Sequence, residues 1–109
     1  MKLGELLRGV PTLDLGASPD LEVTSLAYDS RRAERGTLFF AIQGDKADGH
    51  QFAGAALDRG AVAVVSERIA PPELAIRWIR VEKIRRALAS SAREFLGHPD
   101  SKLLTVGIT

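Results

Sequence analysis

The sequence predicts an α/β fold in which helices cover a small mixed β-sheet. Short apolar runs of strand length alternate along the chain with segments whose apolar residues recur at helical spacing. Glycine and proline residues separate the two kinds of segment. With 109 residues, 45% of them hydrophobic, the chain can bury one core of ordinary size without disulfides or metals. We therefore expect a single domain over residues 1–109.

The first part of the chain predicts a short helix followed by two strands. The helix is indicated by the spacing of three leucines, Leu3, Leu6 and Leu7. Residues 16–20 have the composition of a turn. Residues 22–28 roughly alternate between apolar and polar, which predicts an exposed or edge strand with one face made of Val23, Ser25 and Ala27. After a charged loop, the nearly continuous apolar run of residues 37–42 predicts a strand buried on both faces.

The best-marked helix of the sequence is predicted after residue 47. Asp48 and Gln51 have the spacing of a capping box, in which the two side chains satisfy free N–H groups of the first turn. Apolar residues then follow at helical spacing, and Gly60 is placed to end the helix in the left-handed conformation.

The remaining chain predicts three more strands and one helix. The strands are expected over residues 61–66, 75–81 and 103–108, with a loop over residues 70–73. The helix has an apolar stripe of Ile84, Leu88, Ser91, Ala92 and Phe95. Its other face is basic, with Lys83, Arg85, Arg86 and Arg93, and Gly97 and Pro99 are expected to stop it.

Composition excludes several classes of function. The 15 Lys and Arg residues nearly balance the 14 Asp and Glu residues, so the net charge of +1 gives no strong field for nucleic acid or anionic lipid. The chain has no cysteine and two histidines, which argues against disulfides and a closed zinc site. No window approaches the roughly 20 apolar residues that span a bilayer. We expect a soluble cytoplasmic domain without nucleic-acid or membrane partners.

The stretch from Tyr28 to Ala61 predicts an anion site. The hydroxyl of Ser30, a loop flanked by glycines and a helix that opens at Asp48 can converge on one ligand. Backbone N–H groups at the start of a helix attract negative charge. A phosphate-bearing small molecule is therefore the expected ligand.

Several motifs in this stretch follow one another in fixed order: Asp29-Ser30-Arg31, Gly36-x-Leu38-Phe39-x-Ala41, Gly44-x-x-x-Asp48-Gly49-His50-x-Phe52 and Ala56-x-x-x-Gly60-Ala61. From residue 21 onward the chain resembles the N-terminal domain of the Mur ligases. These cytoplasmic enzymes add amino acids to the UDP-linked muramic acid precursor of bacterial peptidoglycan. Several motifs in order are more specific than any one of them. The resemblance implies a three-layer α/β/α domain that binds UDP.

The resemblance also implies which residues bind the substrate. By position, Tyr28 and Ser30 would contact the uridine and pyrophosphate, and the loop of Asp45, Lys46 and Ala47 would enclose the uracil. Tyr28 departs from the aliphatic residue of the family pattern and could stack on the base. Arg31, Asp48 and His50 are expected as a second rank of substrate-binding residues. No catalytic or metal-ligating residue is expected within the 109 residues.

The end of the chain points to one branch of the family. The segments His98-Pro99-x-Ser101-x-Leu103 and Val106-Gly107-Ile108-Thr109 are most similar to the ligase that adds the third peptide residue, meso-diaminopimelate or L-lysine. The resemblance implies ATP, Mg²⁺ and a UDP-N-acetylmuramoyl peptide for the whole enzyme, an ATP-dependent amide ligase. The chain itself has no Gly-x-x-x-x-Gly-Lys-Ser/Thr loop. Alone it is expected to be inactive, to bind no cofactor and to be a monomer.

Other interpretations of these residues stay open at this level. The sibling ligase that adds D-alanyl-D-alanine shares the Asp-Ser-Arg and Asp-Gly-His features, and an exposed sheet edge would suit a protein-interaction module. Asp29 is better explained as a turn carboxylate than as a ligand contact. Arg31 can reach either a phosphate or a neighbouring carboxylate. The basic helix face is best explained as a solvated surface, since it lacks interleaved aromatic residues.

Overall fold

The structure is a computed structural model that describes residues 1–42 and 49–97, the side chains of residues 30 and 49–52 excepted. Within these ranges the helices are α1 (Leu3–Leu6), α2 (Gly49–Asp58) and α3 (Ile84–Gly97). The strands are β1 (Thr12–Leu15), β2 (Ser25–Ala27), β3 (Thr37–Phe40), β4 (Ala63–Ser66) and β5 (Trp78–Val81). Two 3-10 helices, Ser30–Arg32 and Pro72–Arg77, lie between strands.

The five strands form one mixed sheet in the order β1-β5-β4-β3-β2. Strands β2 to β5 are parallel, and β1 pairs antiparallel with β5. Parallel neighbours need a connection that crosses over the sheet, and the segment containing α2 supplies it between β3 and β4. The predicted α/β class with a mixed sheet is confirmed.

Helices cover both faces of the sheet. On one face, Leu38, Phe40 and Ile79 belong to a core that includes α1 and α3. On the other face, Phe39, Val64 and Trp78 pack with alanines of α2. Adjacent residues of β3 thus enter opposite cores because side chains alternate along a strand. The apolar run at residues 37–42 is explained by this double burial, and the predicted three-layer arrangement is confirmed.

The C-terminal end of α2 follows the prediction closely. Gly60 has φ +114°, its N–H donates to the carbonyl of Leu57, and the N–H of Ala61 donates to the carbonyl of Ala56. This pair of bonds is the Schellman arrangement, in which a residue with positive φ lets the chain turn out of the helix. The predicted cap at Asp48 lies outside the described residues.

Helix α3 buries the predicted stripe, with Ile84, Leu88, Ser91 and Phe95 facing the sheet. Its first turn is capped from another part of the chain, because Lys83 offers no side-chain acceptor. The Glu67 carboxylate, which follows β4, accepts the N–H of Ile84 at 2.9 Å. A negative charge at this end also suits the helix dipole.

Several predictions of secondary structure were wrong in detail. The strand predicted over residues 75–81 begins only at Trp78, because residues 75–77 belong to the 3-10 helix Pro72–Arg77. Strand β1 was not predicted at all. Strand β2 is an edge strand as expected, but all three of its residues are buried. Val23 packs in the same core as Leu26, so the predicted alternation does not extend to residue 23. The strand predicted at residues 103–108 lies outside the described residues.

Candidate functional site

Because β2 to β5 are parallel, their carboxyl ends meet at one edge of the sheet, called here the carboxyl edge. In open α/β sheets ligands bind outside this edge, where loops leave the strands. Tyr28 follows β2 there, and Glu67 follows β4. Helix α2 begins at Gly49, after the segment that leaves β3 at the same edge. The fold therefore brings the motif around Ser30 and the start of α2 to one side of the molecule.

The turn after β2 is held by hydrogen bonds within itself. The Asp29 carboxylate accepts the backbone N–H of Arg31 at 3.0 Å and two N–H groups of its guanidinium, at 3.1 Å from Nε and 2.9 Å from Nη2. The carbonyl of Asp29 accepts the N–H of Arg32. A carboxylate that bonds the backbone two residues onward is typical of Asp in turns. The structural interpretation of Asp29 is confirmed.

These contacts also shift the pKa values of Asp29 and Arg31. Hydrogen bonds from the side chain and backbone of Arg31 lower the pKa of Asp29 from 3.8 to about 2. The same pairing raises the pKa of Arg31. Arg31 stays 83% exposed, so the pair is solvated and orients the guanidinium more than it stabilises the fold. Arg31 was expected to reach either a phosphate or a neighbouring carboxylate, and in the structure it bonds the carboxylate of Asp29.

Tyr28 and Ser30 lie on either side of Asp29. Tyr28 is 38% exposed at the end of β2, so part of its ring is accessible to a ligand. Ser30 opens the 3-10 helix Ser30–Arg32, which lies against α2. His50 is in the first turn of α2. The structure thus places the backbone of these three predicted residues at the carboxyl edge.

The rest of the predicted site lies outside the described residues. Asp45, Lys46, Ala47 and Asp48 belong to the segment between residues 42 and 49. Their roles in enclosing a base or capping α2 stay predictions.

The sequence reasoning did not single out Glu67 and Arg68, which share this edge. The N–H of Arg68 donates to Ser66 Oγ at 3.0 Å, and its carbonyl accepts the indole N–H of Trp78 at 2.9 Å. The signal that could have found them is their position directly after an apolar run of strand length. Polar residues at that position of a parallel strand fall at the ligand edge.

A cavity of about 640 Å³ lies at the opposite, amino edge of the sheet. Its walls include Gly36, Gly60 and Ile76, which precede the starts of β3, β4 and β5. Tyr28 and Arg31, the predicted site residues whose side chains the structure describes, do not line it. Among the described side chains of residues 1–42 and 53–97, no three His, Cys, Asp or Glu residues are grouped so that they could hold a metal ion. No helix within residues 1–42 and 49–97 is long and apolar enough to cross a membrane.

This architecture is that of an open-sheet α/β domain with its polar turns gathered at the carboxyl edge. The sequence profile described as "Mur ligase family, catalytic domain" matches residues 22–96. The chain belongs to the Mur ligase family, as the motifs indicated.

Curated relatives extend this match to the whole chain. The chain is 58% identical over 112 residues to the UDP-N-acetylmuramoyl-L-alanyl-D-glutamate–2,6-diaminopimelate ligase of Solibacter usitatus. It is 41% identical to the ligases of the same name from Chlorobium phaeobacteroides and Listeria monocytogenes serotype 4b. Each alignment covers 100% of the chain and 22% of the relative. The chain thus spans about a fifth of the length of these relatives.

Solved structures of the family share the fold. The MurF ligase of Thermotoga maritima, solved in complex with ADP, is 34% identical with a TM-score of 0.56, over 71% of this chain and 17% of that one. A MurF structure from Acinetobacter baumannii is 26% identical with a TM-score of 0.68, over 86% of this chain and 20% of that one.

Proposed function

We propose that the chain is the N-terminal, UDP-binding domain of a ligase that adds a diamino acid to a UDP-N-acetylmuramoyl dipeptide. The observation that carries the proposal is the 58% identity, over the full chain, to a ligase named for 2,6-diaminopimelate. The turn at residues 28–31 supports it, because it sits at the ligand edge of the sheet. Cytoplasmic location and a monomeric state complete the proposal.

In this proposal the domain anchors the nucleotide end of a long substrate. The Ser30 hydroxyl donates to a diphosphate oxygen, and backbone groups of Asp45, Lys46 and Ala47 read the uracil edge. Tyr28 offers a ring face to the base. Arg31, oriented by Asp29, has further N–H groups for a phosphate oxygen, and Asp48 and His50 flank the start of α2. Binding energy gained here positions the distant reacting carboxyl.

The chemistry of the whole enzyme is assigned to parts of the protein beyond these 109 residues. The chain contains no phosphate-binding Gly-x-x-x-x-Gly-Lys-Ser/Thr loop, so none of its residues is given a step involving ATP or Mg²⁺. When bound by the whole ligase, ATP would activate the substrate carboxyl for attack by the amino group of the diamino acid.

The sibling activity, addition of D-alanyl-D-alanine, is the second candidate. Its support is the fold, since the solved structures reported above are MurF ligases. Their identities to the chain, 34% and 26%, are lower than the 58% to the diaminopimelate ligase. The first candidate is therefore preferred.

The test is a titration of the ¹⁵N-labelled chain with UDP and then with the UDP-N-acetylmuramoyl dipeptide. We expect amide shifts at Tyr28, Ser30 and residues 45–47, and weaker binding in Ser30→Ala. Ser18→Ala, which removes a hydroxyl near the amino edge, is the matched control and should bind as the unaltered chain does. Equal affinity in Ser30→Ala would remove Ser30 from the site. Repeating the titration on the full-length ligase separates a wrong assignment from a site that needs its other domains.

A further inference from the structure

The basic side of α3 is exposed, as its sequence indicates, but it also borders a concave surface. Three of its four cations, Lys83, Arg86 and Arg93, line a groove that the loop before β1 closes on the other side. Gly9 and Pro11 form part of that wall. The fourth cation, Arg85, is exposed but does not line the groove. We call this cavity, of about 630 Å³, the α3 groove.

The loop and the helix approach each other closely at the groove. A Cβ atom added to Gly9 would come within 3.2 Å of Ser90 Oγ, so the small residue allows the contact. Val10 is buried and its N–H donates to the carbonyl of Leu7, which fixes the loop against the end of α1. The wall is therefore built into the fold. A cavity of this volume is within the range of small-molecule sites.

The charges in the groove favour an anion. Three cations face a single carboxylate, Glu82, among the groove residues. In the part of the chain that the structure describes, none of Lys83, Arg86 and Arg93 forms an ion pair. Since the whole chain has a net charge of only +1, this excess is local. Positive groups in a concave site attract an anion more strongly than they would on a convex surface.

The positions of the cations favour phosphate. Lys83 directly precedes α3 and Arg86 lies three residues on, in its first turn, so their side chains can meet at one anion. Arg offers a planar pair of donors that matches phosphate, and Lys adds a point charge. Arg93 lies about 10 Å further along the axis. In the depression beyond it, Glu5 and Glu94 balance Arg8 and Arg93, whereas Lys83 and Arg86 face only Glu82 among the described groove residues.

We propose that the α3 groove binds a phosphate-bearing small molecule, with one phosphoryl group between Lys83 and Arg86. The site is separate from the UDP site, because β5 and β2 are three strand spacings apart, about 14 Å. The proposal therefore does not depend on the function proposed above.

The test is an NMR titration of the ¹⁵N-labelled chain with pyrophosphate, with sodium chloride at matched ionic strength as the reference. We expect saturable amide shifts at Lys83, Arg86, Ser90 and Gly9. Arg86→Gln should weaken pyrophosphate binding about tenfold or more, because a charge-assisted hydrogen bond is lost. Arg85→Gln makes the same change of charge on the same helix and should bind as the unaltered chain does. Equal weakening by both variants, or shifts that do not saturate, would overturn the proposal.

A second pair of variants tests the groove without removing any of its cations. Ala89→Glu places a carboxylate in the groove, and Ala55→Glu makes the same change on an exposed position of α2. Only Ala89→Glu should abolish pyrophosphate binding. Sedimentation with phosphatidylglycerol vesicles distinguishes the source of the phosphate. Vesicle binding without saturable pyrophosphate binding would replace the small molecule by a lipid headgroup and contradict the proposal.

Discussion

The two edges of the sheet are stabilised in different ways. At the amino edge, hydrogen bonds join segments that are distant in sequence: Ser25 Oγ and Thr37 Oγ1 lie 2.7 Å apart in the interior, and the N–H of Gly36 donates to the carbonyl of Gly60. At the carboxyl edge, the turn at residues 28–32 is held by bonds between residues two and three apart, such as those from Arg31 to Asp29.

Because of this difference, we expect mutations at the amino edge to change the stability of the fold and mutations in the turn after β2 to change ligand binding. A segment tied to distant parts of the fold cannot change without a loss of stability. A turn that satisfies its own hydrogen bonds can present exposed groups, such as Tyr28, with little consequence for the core. We expect the amino edge to govern stability and the turn after β2 to govern ligand binding.

The largest effect is expected for Gly36→Ala at the amino edge. Gly36 has φ +89°, and an added Cβ would collide with Thr24 Oγ1. The strained backbone and the collision together should lower the free energy of unfolding by about 2 kcal/mol or more, measured by urea denaturation. Gly54→Ala is the matched control, since among the described residues no atom outside the local helix backbone and the chain neighbours lies within 4 Å of the added Cβ. Because Gly54 lies in the middle of α2, Gly54→Ala should raise the free energy of unfolding by about 0.5–1 kcal/mol. If Gly36→Ala lowered the free energy of unfolding only slightly, the contrast between the amino edge and the turn after β2 would not hold.

The next effect is expected for Thr37→Val. The Thr37 hydroxyl meets Ser25 Oγ and accepts the N–H of Glu34 at 3.0 Å, so its loss leaves buried polar groups without a partner. We expect the free energy of unfolding to fall by about 1.5 kcal/mol. Thr12→Val on the exposed strand β1 serves as the control. A Thr37→Val protein as stable as Thr12→Val would argue against the importance of the buried hydroxyl pair.

Glu67→Ala sharpens the comparison, because Glu67 is at the carboxyl edge but bonds a residue 17 positions away. Its carboxylate caps α3, so removal should cost about 1 kcal/mol of stability in thermal or urea unfolding. Glu67→Gln keeps an acceptor and should cost less. If Glu67→Ala leaves stability unchanged, long-range bonds at the two edges are not equivalent.

The smallest effect is expected from the pair of Asp29 and Arg31. A carboxyl with a depressed pKa contributes stability at pH values above its ordinary pKa of 3.8, and that contribution is lost as the pH falls towards about 2. Because the pair is solvated, Arg31→Gln should leave the unfolding midpoint at neutral pH nearly unchanged. A carboxyl NMR titration should show the pKa of Asp29 rising towards 3.8 in that variant. A pKa that stays near 2 would assign the shift to another cause.

The fold was largely predictable because its strongest signals are local. The apolar run at residues 37–42 predicted a strand that is buried on both faces. Gly60 predicted the end of α2, because glycine tolerates the positive φ found there. Strand β1 was not predicted because its alternation of polar and apolar residues is only four residues long, and in the structure all four are exposed. Its position in the sheet is set by pairing with β5, whose residues are more than sixty positions away in the chain.

The candidate site was predictable in part for the same reason. Asp29 follows the rules of turn residues, so its bonds to Arg31 could be foreseen from the sequence. The basic residues of α3 were recognised as an exposed face, but whether such a face also lines a groove depends on what packs opposite it. Gly9 and Pro11, more than seventy positions away from Lys83, make that difference.

By itself the sequence determined the α/β class, the helix bounded by Gly60, the turn at residues 29–31 and the family. Each of these rests on conformational preferences or patterns of neighbouring residues. Only the tertiary structure decided the strand order, the capping of α3 by Glu67 and the closing of the α3 groove. These features join segments far apart in the chain, and burial of apolar surface in the core, rather than local propensity, brings such segments together.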